Sequence, residues 1–290
     1  MIKLLALDLD GTVLNSQGAI PDKNQKAIRA AERAGVLVTI ASGRRFRDAR
    51  PVGLELQLNA PLITHNGALL KYADTLETIH ADLISTETCL EIIRVGKSYG
   101  GDAFISVDPN GRGTLLYDRV SDENEPLRRY LTWARTLHGE DAKDAVIHVE
   151  RLEDEVPKHD IIHVSFSGTC SRMFDMQGFL VDELGDLVTI LATIYPRRDF
   201  TLLDILPPNS SKGSGLKRLA ALNNIEREET MAIGDNFNDI EMLEFAGTSI
   251  IMGNADPNLL ERGEFYTTLS NDESGVAAAI DEYILDQEND

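Results

Sequence analysis

Apolar and polar positions follow two different periods along this chain, and the switches between them mark its elements. Residues 3–7 (KLLAL) form a short apolar run. Residues 21–34 have helical spacing: Ala27, Ile28, Ala31 and Ala34 share a face, and Gly35 stands where a helix cap belongs. Residues 36–40 (VLVTI) and 61–64 (PLIT) read as buried strands, the second followed by the turn signal Asn66-Gly67. Strands alternating with helices predict βαβ units and a parallel sheet.

The middle reads differently. Between residues 83 and 196 the pattern predicts helices at 86–99 and 127–137. It predicts strands at 103–107, 114–117, 161–167 and 187–194, with Gly100-Gly101, the turn 108–113 and the acidic stretch 150–155 between elements. This mixture fits an α+β insert. The acidic stretch reads as a solvated loop. The last third returns to α/β: helices at 211–222 and 239–246, strands at 230–233, 248–252 and 265–268, and a polar tail at 286–290 expected to fray. The expected organisation is a core of residues 1–82 and 197–290, with residues 83–196 inserted as a second domain. The fold class is α/β, a Rossmann-like doubly wound parallel sheet carrying an α+β cap.

Composition narrows the function. With 290 residues, two domains are expected. Asp and Glu number 48 against 28 Lys and Arg, a formal net charge of -20. Such a field repels nucleic acid and anionic lipid. It also repels phosphorylated substrates, so a phosphate site would need local positive charge. The two cysteines, Cys89 and Cys170, lie far apart and form no metal-type spacing. The apolar start is broken by Asp8 and Asp10, and no run approaches the roughly 20 apolar residues of a membrane span. A cytoplasmic location is expected. Oligomeric state is not legible.

Three apolar runs end in polar clusters. Residues 4–7 lead into Asp8-Leu9-Asp10-Gly11-Thr12, residues 36–40 into Ser42-Gly43-Arg44, and residues 230–233 into Gly234-Asp235-Asn236-Phe237-Asn238-Asp239. Ligands of open α/β sheets bind beyond the carboxyl ends of the strands. The period of a strand puts Asp8 and Asp10 on one side. Two close carboxylates call for a cation, and magnesium prefers oxygen donors such as these and Asp235, with Asp239 a further candidate. The same Asp-x-Asp also suits a surface turn. Ser42, Gly43 and Arg44 offer a hydroxyl, a bare N–H and a guanidinium to phosphate, or an N-cap at a strand-to-helix turn. Lys212 opens a helix after Ser210-Ser211, where N–H groups and dipole favour an anion; a lone lysine there also reads as a solvated side chain. Asn238 could orient a phosphate oxygen; the same loop could simply cap the next helix.

In this order, DLDGT (8–12), ASGR (41–44), SSKG (210–213) and GDNFND (234–239) resemble the haloacid dehalogenase superfamily of phosphohydrolases. The likeness is to its Cof-type branch with the large class IIB cap, where Asn66-Gly67-Ala68 also fits. The resemblance implies that Asp8 is a nucleophile forming an aspartyl-phosphate and Asp10 its acid/base, which superfamily dehalogenases lack. It implies Mg2+ held by Asp8, Asp235 and the carbonyl of Asp10, with Asp239 a ligand or one step behind. Ser42, Gly43, Lys212 and Asn238 would hold phosphoryl oxygens, with Thr12 and Arg44 also counted as phosphate-binding candidates; the alternative for Arg44 is a role in structuring its loop. Arg197-Arg198, near the return from the cap, are a surface pair or a substrate contact. The expected activity is hydrolysis of small phosphorylated metabolites. The alternatives are a phosphomutase or other phosphoryl transferase, and a non-catalytic phospho-ligand-binding module. No pattern in the cap identifies the substrate.

Overall fold

The structure, a computed structural model, describes residues 1–122, 124–195 and 199–286. In chain order its strands and helices begin with β1 (Leu4–Leu7), α1 (Asp22–Arg33), β2 (Leu37–Ile40), α2 (Phe46–Leu56), β3 (Leu62–Thr64), β4 (Leu69–Lys71) and β5 (Thr78–Ala81). There follow α3 (Thr86–Ser98), β6 (Ala103–Val107), β7 (Thr114–Tyr117), α4 (Glu125–His138), α5 (Ala142–Ala145), β8 (Val146–His148), α6 (Leu152–Glu155), β9 (Ile161–Gly168), α7 (Cys170–Leu184), β10 (Thr189–Tyr195) and β11 (Phe200–Leu206). The chain ends with α8 (Lys212–Leu222), β12 (Thr230–Gly234), α9 (Ile240–Phe245), β13 (Thr248–Ile251), α10 (Pro257–Glu261), β14 (Tyr266–Thr267) and α11 (Gly275–Ile280).

Two compact units form: residues 1–44, 49–79 and 211–290, and residues 45–48 and 80–210. The first is built on a parallel sheet in the order β14-β13-β12-β1-β2. Leu4 and Ala6 of β1 pack with Leu216 and Leu219 of α8 and with Met242 and Leu243 of α9. Alternation sends Leu5 and Leu7 to the opposite face, and all four residues are fully buried. A strand covered on both faces reads as a continuous apolar run, which is why KLLAL shows no alternation. The chain runs from β1 to β2 on one side and reaches β12 on the other. The order therefore reverses at β1, the place where such sheets bind ligands.

The second unit is a six-stranded sheet in the order β10-β11-β9-β6-β7-β8, antiparallel except for the β7–β8 pair. Ile92 and Ile93 of α3, with Met173, Met176 and Leu180 of α7, cover Ile105, Val164, Phe166, Leu203 and Ile205 on one face. Leu127, Leu131 and Ala134 of α4 pack on Phe104, Leu115 and Tyr117.

The unit boundaries differ from the sequence expectation: the first unit leaves at residue 79 rather than 82, and residues 45–48 group with the inserted unit. The return to the first unit falls after residue 210, not at 197. β11 pairs with both β9 and β10, so FTLLDIL belongs to the inserted sheet. Arg197-Arg198 and residues 287–290 of the tail lie outside the described residues. Helix α7, which the pattern did not predict, carries exposed Phe174 and Val181 that blur its period. Among the described residues no helix is long and apolar enough to cross a membrane.

Candidate active site

The carboxyl ends of β2, β1 and β12 lie side by side, because those strands are hydrogen-bonded neighbours. This adjacency brings together residues more than 200 positions apart. Asp8 follows β1 and is buried. Lys212, the first residue of α8, is buried as well, and its Nζ donates to Asp8 Oδ1 at 2.6 Å and to Asp239 Oδ1 at 2.6 Å. Ser211 caps that helix, exchanging hydrogen bonds with Ser214. A lysine in a first turn opposes the helix dipole; here two carboxylates outweigh that opposition.

Asp239 is fully buried, and both its oxygens are engaged. Oδ1 accepts from Lys212, and Oδ2 accepts from the backbone N–H groups of Asp235 and Asn236, each at 3.0 Å. It thus ties the lysine to the loop after β12, an anchoring position rather than an open ligand. Asp235 accepts from Thr12 Oγ1 at 3.0 Å, so the Thr12 hydroxyl, expected on phosphate, lies on a carboxylate. Gly11 permits this approach: a Cβ there would lie 2.4 Å from Asp235 Oδ2, and its φ is +90°.

The cluster carries more negative charge than its lysine offsets. Burial raises the Asp8 carboxyl well above the usual range, Lys212 pulls it back, and Asp239 and Asp235 push it further up. Burial and the charge of Asp239 push Asp235 up to about 7, against the pull of Lys212. Burial disfavours the Lys212 ammonium, but Asp239 and Asp8 together more than compensate, and the lysine stays charged. Carboxylate oxygens of Asp8, Asp235 and Asp239 lie within 4.8 Å of one another. An all-oxygen donor set with uncompensated charge fits a hard divalent cation such as magnesium.

Asp10 lies apart from this cluster. Its side chain is 47% exposed, and Arg44 grips it bidentately: Nε donates to Oδ2 at 2.7 Å and Nη2 to Oδ1 at 2.6 Å. Arg44 therefore sits on the second aspartate; the sequence leaves it either a phosphate contact or a residue that structures its loop. Ser42 Oγ accepts from the Arg44 N–H at 3.1 Å, which shapes the loop after β2. Asn238 Nδ2 donates to Asn66 Oδ1 at 3.3 Å. In the sequence Asn66-Gly67 is a turn that also fits the family resemblance; the geometry adds Asn66 to the site.

A sequence model of the haloacid dehalogenase-like hydrolases matches residues 5–280. The chain belongs to that family. Two Bacillus subtilis members are each 30% identical to it. The 5-amino-6-(5-phospho-D-ribitylamino)uracil phosphatase YwtE aligns over 99% of this chain and 99% of its own. The phosphatase YwpJ aligns over 95% and 98%. The crystal structure of TM0651 from Thermotoga maritima superposes with a TM-score of 0.78 at 26% identity, covering 97% of each chain. As a haloacid dehalogenase-like hydrolase, the chain combines a buried carboxylate beside an ammonium with a second, solvent-accessible carboxylate two residues on. The first suits nucleophilic attack and the second proton transfer.

Proposed function

We propose that this chain is a magnesium-dependent phosphatase that hydrolyses small phosphorylated metabolites through an aspartyl-phosphate on Asp8. The observation that carries the reading is the contrast between its two neighbouring aspartates. Asp8 is buried and held by Lys212, whereas Asp10 is open to solvent and oriented by Arg44.

In the proposed reaction an Asp8 oxygen attacks phosphorus. The bond from phosphorus to the ester oxygen breaks as Asp10 delivers a proton to that oxygen. Asp10 then accepts a proton from a water that attacks the same phosphorus. The Asp8–phosphorus bond breaks, inorganic phosphate leaves and the carboxylate is restored. Lys212, fixed from behind by Asp239, pulls the Asp8 carboxyl back toward its ionised form against burial and supplies positive charge where phosphoryl oxygens gather. Ser42, Gly43 and Asn238 complete the donor set. Asp8, Asp235 and the carbonyl of Asp10 would hold magnesium, which supplies charge neutralisation between the attacking carboxylate and the phosphate dianion.

The substrates proposed are sugar phosphates or phosphorylated cofactors, in keeping with the phosphorylated ribityl compound in the name of YwtE. The inserted α+β unit is proposed as the part that selects the leaving group. The test is phosphate release from a panel of phosphorylated metabolites and an aryl phosphate, with magnesium and with chelator, alongside Asp8→Asn. Release that needs magnesium and vanishes in Asp8→Asn supports the reading. Phosphoryl transfer between sugar positions without free phosphate would replace it with a mutase, and silence on every substrate would overturn it.

A further inference from the structure

The turn after β3 is strained in a way that the proposed chemistry does not yet use. His65, Asn66 and Gly67 adopt φ of 52°, 49° and 95°, three left-handed residues in succession. Glycine is required at the last position on two counts: its φ, and a Cβ that would lie 1.9 Å from the Ser211 carbonyl oxygen beside α8. Asparagine and histidine tolerate such backbone better than most residues, yet two adjacent ones remain unfavourable. The turn is held in place by the loop after β2: His65 N–H donates to Arg44 O at 3.0 Å and Asn66 N–H to Ser42 O at 3.1 Å.

The strain aims one side chain. Asn66 is fully buried, and its Oδ1 accepts from Asn238 Nδ2 at 3.3 Å. The same amide lies against Gly43, where a Cβ would come within 3.0 Å of Oδ1 and 3.2 Å of Nδ2. Asn66 thus touches both loops expected to offer donors to phosphate, one after β2 and one after β12.

We infer that Asn66 is a positioning residue: it sets the Asn238 amide and the Ser42–Gly43 loop in register so that their donors converge on one phosphoryl group. The inference rests on the phosphatase reading. Asn238 has two N–H donors; spending one on Asn66 leaves the other directed by that bond.

The test is a double-mutant cycle on the full chain, with magnesium present. Asn66→Gly keeps the left-handed backbone and deletes the side chain with its amide. Aryl phosphate turnover and binding of orthovanadate by calorimetry are read for Asn66→Gly, Asn238→Ala and the double variant. Each single variant should lose about tenfold in kcat/KM and in vanadate affinity, and the double should lose no more than about twofold beyond the worse single. Should Asn66→Gly not fold, Asn66→Asp retains the acceptor oxygen and the tolerance for this backbone. In that background Asn238→Ala should cost as much as it does in the wild type. Single losses that multiply in the double variant, wild-type behaviour of Asn66→Gly, or no cost of Asn238→Ala beside Asn66→Asp overturn the inference. A wild-type protein that neither turns over aryl phosphate nor binds vanadate removes the phosphatase reading itself, a distinguishable result.

Discussion

Replacing Asp235 by asparagine should stabilise the protein in the absence of magnesium, and the gain should depend on pH. Asp235 titrates at about 7 in the fold against an ordinary value of 3.8, chiefly through burial and then through the charge of Asp239. The raised value means that the fold favours the protonated carboxyl. Below pH ~4 the group is neutral in both folded and unfolded states and costs nothing. The cost grows between pH ~4 and ~7 and is complete above that. Roughly three units at about 1.4 kcal/mol each set an upper figure near 4 kcal/mol. Asparagine cannot ionise, and its oxygen still accepts from Thr12. In chelator at pH 8, Asp235→Asn should therefore unfold about 5–15 °C above the wild type, and the difference should vanish near pH 4. Thermal scans at the two pH values measure this. Added magnesium should raise the wild-type midpoint at pH 8 and leave the variant nearly unmoved. A variant less stable than the wild type at pH 8, or a gap indifferent to pH, would refute the charge argument.

Other changes have definite expectations. Lys212→Met strips two buried carboxylates of their shared partner and should cost about 3–5 kcal/mol in denaturant titration, far more than Asp8→Asn, which leaves the Lys212–Asp239 pair intact. Arg44→Ala should lower kcat/KM roughly tenfold for alkyl phosphates but little for an activated aryl phosphate, whose leaving group needs no proton; equal losses on both would mean that Arg44 does not act through Asp10. His163, buried in β9, is pushed down to about 3 from 6.5, first by burial and then by Arg45. Stability linked to it is present above pH ~6.5 and is lost as pH falls, by up to about 1.4 kcal/mol per unit, so His163→Gln should flatten the stability profile between pH 6.5 and 5.

Much of the candidate site was legible because each part follows a buried parallel strand. Asp8, Ser42 and Asp235 come directly after apolar runs, and the adjacency of β2, β1 and β12 does the rest. The partners of those residues were not legible. Nothing in the spacing tells that Thr12 will lie on Asp235, that Arg44 will grip Asp10, or that Asp239 will spend both oxygens on Lys212 and the loop. These depend on which side chain reaches which across the sheet ends. Asn66 shows the same limit: NG signals a turn in any sequence, and only the buried approach of Asn238 and Gly43 sets this one apart. The boundary at 197 failed because FTLLDIL is apolar enough for either sheet, and its pairing with β9 decides the matter.

In the proposed reaction the phosphoryl group passes through Asp8. Rapid quenching during turnover of a good substrate, followed by borohydride, reduces an acyl phosphate to an alcohol. A peptide bearing homoserine at position 8 is expected, formed only with substrate and absent from Asp8→Asn. Turnover with unmodified Asp8, or label at another carboxylate, would contradict it.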